Sequence, residues 1–406
     1  MFFDETKRTV VTGMGVVSAI GLNKASFWNG LVNGQNGISD VESFDTSGFE
    51  SCRGGEIKDF DIEDFYPDDP IQQQGRAKQM ATVALDECLK DAGYDLIQNP
   101  FRVGITVGTT IGEAKALEAI TDAIDRDGMK GIKQEDVLDY PPYTIPQYLA
   151  GRFKIYGPNL MLPNACAAGN FSLDHAVHAI QSGRVDAVFA GGVDAFSRVA
   201  YSGFSRLGAI SPDLPRPFSA DRQGMIPGEG AAMLLVESYR SAVARGAHIY
   251  AEILGFGESC DAHHITQPNC SGVSQAMISA MSEAGVTADD ISFVSVHGTG
   301  TPTNDVTETK ALARALGENY RQVPVTSVKS MIGHPMGAAS SIECVLCMLA
   351  IQNQYIPPTI NFREPDPDCD VDCVPNVGRA AEITHVMKSS SAFGGNNSCI
   401  IFKAMA

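Results

Sequence analysis

"IYAEILGFGES" (residues 249–259) repeats the pattern of "TVVTGMGVVS" (residues 9–18): an apolar β-rich run, a glycine-punctuated turn, then serine. The likeness continues outward. "SGVSQAMISAMSEAG" (271–285) has the helical periodicity of "GRAKQMATVALDECLKDAG" (75–93), and both close on a glycine suited to a helix C-cap. "ISFVSVHGTGT" (291–301) mirrors "RVGITVGTTIG" (102–112), a strand running into a glycine loop, and "VDAVFAGGVDAF" (185–196) is a further strand. Continuous apolar strands between helices predict a parallel sheet buried on both faces. The spacing of the repeats varies, which argues against a solenoid and predicts two similar α/β halves, 1–250 and 251–406, without a flexible linker. The stretch 113–160, including "DAIDRDGMKGIKQEDVLDYPPY", mixes charge, Gly and Pro with little periodicity and is expected to be an irregular surface excursion.

Composition narrows the function classes. The chain has 406 residues, 44% of them hydrophobic and 19% charged, the profile of an ordinary globule. A formal net charge of −18 argues against nucleic acid as a partner, because phosphate binding needs a concentrated basic face. Any acidic partner must dock on a local basic patch against the average field. The ten cysteines are scattered without a disulfide framework, which fits a reducing cytosol. Cys344 and Cys347 form a CxxC inside an apolar helical pattern and read as core thiols. "MFFDETKRTVVTGMG" has charges ahead of any apolar run and is not a signal peptide, and no uncharged apolar run reaches the roughly 18 residues of a membrane helix. The expected location is the cytoplasm, with no membrane partner.

Three stretches carry chemistry. "NACAAGNFSLDHAVHAIQSG" (164–183) puts Cys166 at a helix start among small residues that leave sulfur accessible. A free thiol is only about 3% ionised at pH 7, and a helix N-terminus is expected to lower its pKa. "SVHGTGTPTND" (295–305) places His297 at a strand end in a Gly/Thr loop, and "KSMIGHPMGAAS" (329–340) places His334 in a Gly-rich turn before a helix at 338–351. Two such histidines in the half lacking the cysteine predict a cleft between halves. A metal site is the rival use of Cys plus two His, but no short ligand pair exists. A Cys-His protease dyad fits the residue types, yet no orienting Asn or Asp is evident and two histidines exceed its needs. "GMGVVS" (13–18) lacks the third glycine of a dinucleotide loop, so no nucleotide cofactor is expected.

At these stretches the chain resembles, from end to end, the β-ketoacyl-acyl carrier protein synthases (KAS I/KAS II type) of the thiolase superfamily. Cys166, HGTGT, K-x-x-x-GH and FGG occur in the family's order. "RTVVTGMGVVSAIG" resembles its opening strand, "RPFSADRQGMIPGEGAAMLLVES" its central block and "DPDCDVDCVPNVGR" its late loop. The resemblance implies a thiolase fold, with duplicated βαβαβαββ halves in a five-layer αβαβα arrangement. It also implies decarboxylative Claisen condensation of an acyl group on Cys166 with malonyl-acyl carrier protein, in fatty acid or specialised polyketide synthesis. Cofactors are not implied, since phosphopantetheine of the carrier holds the substrates. The implied partners are acyl carrier protein and a second ketosynthase-like subunit, either an identical copy or a homologue.

The same resemblance implies roles for particular residues. His297 and His334 would donate hydrogen bonds to the enolate, and the amides of Cys166 and Phe393 would form an oxyanion hole. Lys329 would support the site electrostatically and help hold His334, Thr299 and Thr301 would bind the pantetheine arm, and Glu343 would be a buried carboxylate nearby. Degradative thiolases use a second cysteine and KAS III-type enzymes use Cys-His-Asn, so His334 favours the Cys-His-His type. A non-catalytic chain-length factor would lack the nucleophile that Cys166 supplies.

The chain departs from the family in "SSSAFGGNN" (389–397), where relatives read N-S-F-G-F-G-G-T-N. Ser391 replaces a gating Phe, which implies a wider or more polar entrance, and Met225 stands where Phe is common. Ser295 and Ser389 replace asparagines around Glu343, which puts the family's monovalent cation site in doubt. Ile111 is expected to narrow the acyl pocket. Arg76, Lys78, Lys130, Lys133 and Arg206 are candidate contacts for an acidic carrier.

Overall fold

The computed structural model describes residues 7–405. The charged N-terminal residues 1–6, which bear on the signal-peptide expectation, lie outside the described residues. Ten strands form the main sheet: β1 (Thr9–Val17), β2 (Val103–Gly108), β3 (Asn159–Leu162), β4 (Ala187–Asp194), β5 (Gly230–Ser238), β6 (Ala251–Cys260), β7 (Phe293–Ser295), β8 (Val325–Thr326), β9 (His385–Ser391) and β10 (Asn396–Ala404). Their spatial order is β8-β7-β9-β10-β6-β1-β5-β4-β2-β3. Numbered within its own half, each set of five strands therefore runs third, second, fourth, fifth, first. The halves meet where β1 pairs antiparallel with β6 over three residues, Thr9–Val11 opposite Ala251–Ile253. In each half the second, third and fourth strands are parallel and the fifth is antiparallel to its neighbours.

Five helices complete the layers: α1 (Arg76–Ala92), α2 (Ala168–Gln181), α3 (Cys270–Ala284), α4 (Pro302–Leu316) and α5 (Ala339–Asn353). α1 covers β1 and β5 on one outer face, and α3, backed by α4, covers β6 and β10 on the other. α2 and α5 touch each other and strands of both halves, so they form the middle layer. This is the five-layer thiolase arrangement. α5 is buried all round from Ala339 to Ile351, as a helix enclosed between the two halves of the sheet must be. It lies within Met336–Asn353, the one stretch among the described residues long and apolar enough by composition to cross a membrane. Truncating a core side chain such as Leu346 there is expected to cost about 2–5 kcal/mol.

Two expectations need correction. The glycines of the opening repeat lie within the strands rather than in turns, since β1 and β6 run straight through them. They let the outer helices press onto the sheet. A Cβ on Gly15 would lie 2.0 Å from Ala84 O of α1, and one on Gly257 would lie 1.9 Å from Ala276 O of α3. The segment 113–160 is not irregular. It contains helices Ala114–Asp127, Gln134–Asp139 and Thr144–Phe153, and its Gly and Pro residues punctuate them. By contrast, α1 and α3 end as read, on Gly93 (φ 56°) and Gly285 (φ 67°).

Candidate active site

Cys166 lies in a single 3₁₀ turn, Ala165–Ala167, that leads directly into α2. Ala165 takes a left-handed conformation, φ 48°, uncommon for a residue with a Cβ and worth about 1–3 kcal/mol of strain. The second half repeats this turn: Met336, φ 46°, opens the 3₁₀ turn Met336–Ala338 that leads into α5. Each central helix thus begins at a strained corner. In the first half that corner presents a thiol, and in the second it presents the small Gly337. Among the described residues, the Cys166 amide donates to no backbone carbonyl outside its own helical turn.

The expected acidic thiol is not what the structure gives. Cys166 is buried, and burial pushes its pKa up to about 12, with Lys329 opposing that rise and Asp194 adding to it. Desolvation outweighs the helix terminus because sulfur lies in a cavity wall rather than in water.

His297 follows β7. Its amide and that of Gly298 are held by one carboxylate, Glu308 on α4, at 2.7 and 2.8 Å. Gly298 has φ 42° and its carbonyl accepts from Ser327 Oγ at 2.6 Å, so the loop turns sharply and is fixed on both sides. Thr299 and Thr301 follow with their hydroxyls 2.9 Å apart. His334 is anchored to the first half: its amide donates to Ile226 O at 2.7 Å and its carbonyl accepts from Gly228 N at 2.9 Å. The imidazoles of His297 and His334 lie 5.4 Å apart, centroid to centroid. Burial holds both well below the ordinary histidine pKa, and the charges of Lys329 and Lys388 push the same way. Both rings are therefore neutral at pH 7.

Lys329 contacts Glu343 rather than His334, which corrects its expected role of holding that ring; its influence on the histidines is through charge. Glu343 is flanked by a second buried ammonium, Lys388 Nζ, 2.9 Å from Oε2 and off the ideal hydrogen-bond direction. Asp194, at the end of β4, accepts from Thr109 Oγ1 (2.7 Å), Thr110 N (2.7 Å), Ile111 N (3.0 Å) and Gly337 N (2.6 Å), tying the two halves together. Among the described residues, no group of three His, Cys, Asp or Glu side chains is placed to hold a metal ion.

Cys166, His297 and His334 line one cavity of about 600 Å³, together with Met225, Thr299, Thr301, Ser391 and Phe393. Ile111 is not among the residues lining this cavity, and its amide donates to Asp194 Oδ1 at 3.0 Å. Phe393 is at the tip of the β9–β10 hairpin, where Gly395 N bonds Ala392 O and Gly394 has φ 86°. Its amide donates to no carbonyl or side chain among the described residues. Its ring lies 5.5 Å from that of Phe204 on the helix Arg198–Arg206, also in the wall. The segment His264–Pro268 also lines the cavity.

The candidate docking cations separate into two groups. Arg76 is clamped on Glu229 by two 2.8 Å bonds, and Lys78 is buried against Asp139, so neither is free to meet a partner. Lys130, Lys133 and Arg206 are exposed. Lys133 has Glu135 at 3.5 Å, and Arg206 ends the helix that carries Phe204.

Sequence reasoning passed over Asp194, Glu308 and Lys388. Asp194 had a signal in its place after "GGV" at a strand end, where backbone amides of the next loops converge. Glu308 lies 11 residues beyond His297, in the second turn of α4, a spacing that fits no compact motif. Lys388 interrupts an apolar strand pattern, and a lone lysine there is the best available mark of a buried, paired cation.

The comparisons bear on this site. The family model described as "Beta-ketoacyl synthase, N-terminal domain" matches residues 6–242, and "Beta-ketoacyl synthase, C-terminal domain" matches 250–363. The chain is 38% identical over 98% of its length to 3-oxoacyl-[acyl-carrier-protein] synthase 2 of Staphylococcus aureus (strain COL) and 39% identical over 98% to that of Vibrio cholerae, covering 99% of each. It superposes on a chain of the ishigamide ketosynthase/chain length factor with a TM-score of 0.95 at 40% identity, covering 98% of this chain and 99% of that one. A β-ketoacyl synthase from Burkholderia phymatum STM815 gives a TM-score of 0.91 at 32% identity, with 98% and 100% covered. With this fold, a buried thiol and two neutral imidazoles on one cavity, and family models matching both halves, the chain belongs to the β-ketoacyl synthase family, the condensing acyltransferases of fatty acid and polyketide synthesis.

Proposed function

We propose that Cys166 holds the acyl group during decarboxylative condensation and that His297 and His334 act on the extender thioester. The observation that carries this reading is the convergence of the three side chains on one cavity with both rings neutral. The Cys166 sulfur attacks the acyl-carrier thioester, its proton passes to the departing carrier thiol, and an acyl-cysteine forms. Malonyl thioester then loses CO₂. The pair of electrons from the broken C–C bond moves into the thioester as an enolate, whose oxygen accepts hydrogen bonds from the two imidazoles. The enolate carbon attacks the acyl-cysteine carbonyl, and collapse of the tetrahedral intermediate expels the Cys166 sulfur and leaves a β-ketoacyl thioester on the carrier. The amides of Cys166 and Phe393, neither of which donates to a backbone carbonyl among the described residues, suit the oxyanion of that intermediate.

Thr299 and Thr301 line the approach as hydrogen-bonding partners for a pantetheine arm. No further cofactor is required by these steps. Acyl carrier protein is the proposed donor, with Arg206, beside the Phe204 rim, as its first contact and Lys130 and Lys133 as weaker candidates. The ant ketosynthase structure, at 32% identity, contains an acyl carrier protein, and the ishigamide structure pairs a ketosynthase with a chain length factor. A second ketosynthase-like subunit, identical or homologous, is supported here by the exposed edge strand β3 with Leu160, near the exposed apolar residues Tyr156 and Phe101. Ten free cysteines support work in a reducing cytoplasm. Ser391 in place of a ring favours bulky or polar acyl chains, hence a specialised pathway. The test is a panel of acyl-carriers with malonyl-carrier, reading product masses: β-ketoacyl products two carbons longer are expected, and their absence across the panel rejects the reading.

A further inference from the structure

Lys388 is wholly buried on β9, a central strand, beside Ser295 of β7, two residues before His297. Its ammonium reaches three oxygen-bearing partners: Glu343 Oε2 at 2.9 Å, Ser390 Oγ at 2.8 Å and the carbonyl of Ser389. The other oxygen of Glu343 meets Lys329. Glu343 thus faces two lysines, and the charges of both favour the neutral forms of His297 and His334. The remaining groups that face Lys388 are the thiols Cys344 and Cys347 of α5 and Cys399 of β10, none of which brings a charge. An apolar side chain would fill this strand position without desolvating a cation, so packing alone does not account for a lysine.

We propose that Lys388 is the resident cation of this active site: its ammonium fills the oxygen-lined space beside Glu343, fixes that carboxylate, and supplies the positive charge behind His297 and His334 without a bound metal ion. Lys388 is a positioning residue, since it touches Glu343 and not the substrate. The space around Glu343 does not suit a monovalent metal ion, because both carboxylate oxygens already face ammonium groups. The inference rests on the proposed roles of the histidines.

The test compares the intact protein with Lys388→Met and Lys388→Ser. CO₂ release from malonyl-carrier is followed in buffers whose only cation is sodium, potassium, ammonium or bulky N-methylglucamine, and acylation of Cys166 is followed separately by intact mass. The unaltered protein is expected to keep its rate within twofold in all four buffers. Lys388→Met leaves a neutral Lys329–Glu343 pair, so it is expected to fold, to acylate normally, and to release CO₂ at least tenfold more slowly. Lys388→Ser opens the space and is expected to regain at least fivefold with ammonium or potassium but not with N-methylglucamine. A wild-type rate that collapses in N-methylglucamine overturns the proposal without any variant. So does a Lys388→Met protein with an unchanged rate. Loss of Cys166 acylation in the unaltered protein would instead refute the reading of the site itself.

Discussion

The rings of His297 and His334 meet almost edge to face, at an interplanar angle of 80°, although they come from separate loops and His334 is fixed to the opposite half of the molecule. Among the described residues the Nδ1 of each is buried without a hydrogen-bond partner, which leaves Nε2 as the nitrogen of each ring offered to the cavity. Two neutral imidazoles lining one cavity can both donate to an enolate oxygen in the proposed reaction.

Replacing either ring by alanine should therefore slow CO₂ release by about 10²–10³, the usual cost of one lost oxyanion donor. Acylation of Cys166 should persist. Single-turnover assays that separate acyl transfer from CO₂ release check this, and equal loss of both steps would contradict it.

The same neutrality fixes a pH dependence. An ordinary imidazole gains its proton near pH 6.5. Burial first, then the charges of Lys329 and Lys388, hold His297 and His334 well below that value, so the active neutral form persists as pH falls. CO₂ release from malonyl-carrier should stay flat from pH 8 to about pH 6. An inflection near 6.5 that disappears in a histidine variant would show that the rings are not shielded as described.

Cys166 makes an opposite prediction. With burial raising its pKa to about 12, the thiol is protonated throughout the neutral range. Alkylation of Cys166 by iodoacetamide should rise about tenfold per pH unit from 7 to 9 without a plateau, because only the thiolate reacts. A plateau near neutrality, read by peptide mass spectrometry, would mean that the helix terminus governs after all.

The rim should set acyl preference. Ser391 lines the cavity and is almost fully buried, so Ser391→Phe puts a ring into space now open to substrate. It should lower kcat/KM for branched or bulky acyl-carriers by about tenfold or more, since clashes inside a packed wall cost about 1–3 kcal/mol, while short straight chains change little. An unchanged profile would remove Ser391 from the specificity account.

The carrier contacts can be separated from structural pairs. Arg206→Glu should raise KM for the carrier several-fold, with a smaller difference at high salt. Lys78→Ala should leave KM alone and lower stability by about 1–3 kcal/mol, because it strands Asp139. Kinetics at two ionic strengths, together with thermal unfolding, distinguish the two outcomes.

Much of this architecture was legible because it is periodic. The two matching glycine-bearing strands, two helices closing on αL glycines, and the Cys166, His297 and His334 loops each leave a local mark. What was hidden depends on burial and distance. Arg76 and Lys78 look like surface cations at a helix start until Glu229 and Asp139 arrive from remote segments. The pKa of Cys166 turns on desolvation, which no neighbouring residue reveals, and the glycines read as turns are explained only by helices laid across the strands.

The most direct test of the central claim is trapping. The protein is incubated with acyl-carrier alone and its intact mass is read, with Cys166→Ala as control. The account predicts one acyl group added, mapped to Cys166, absent from the variant, and discharged as β-ketoacyl-carrier when malonyl-carrier is supplied. An adduct that survives Cys166→Ala, or an acyl-Cys166 that malonyl-carrier leaves untouched, would contradict it.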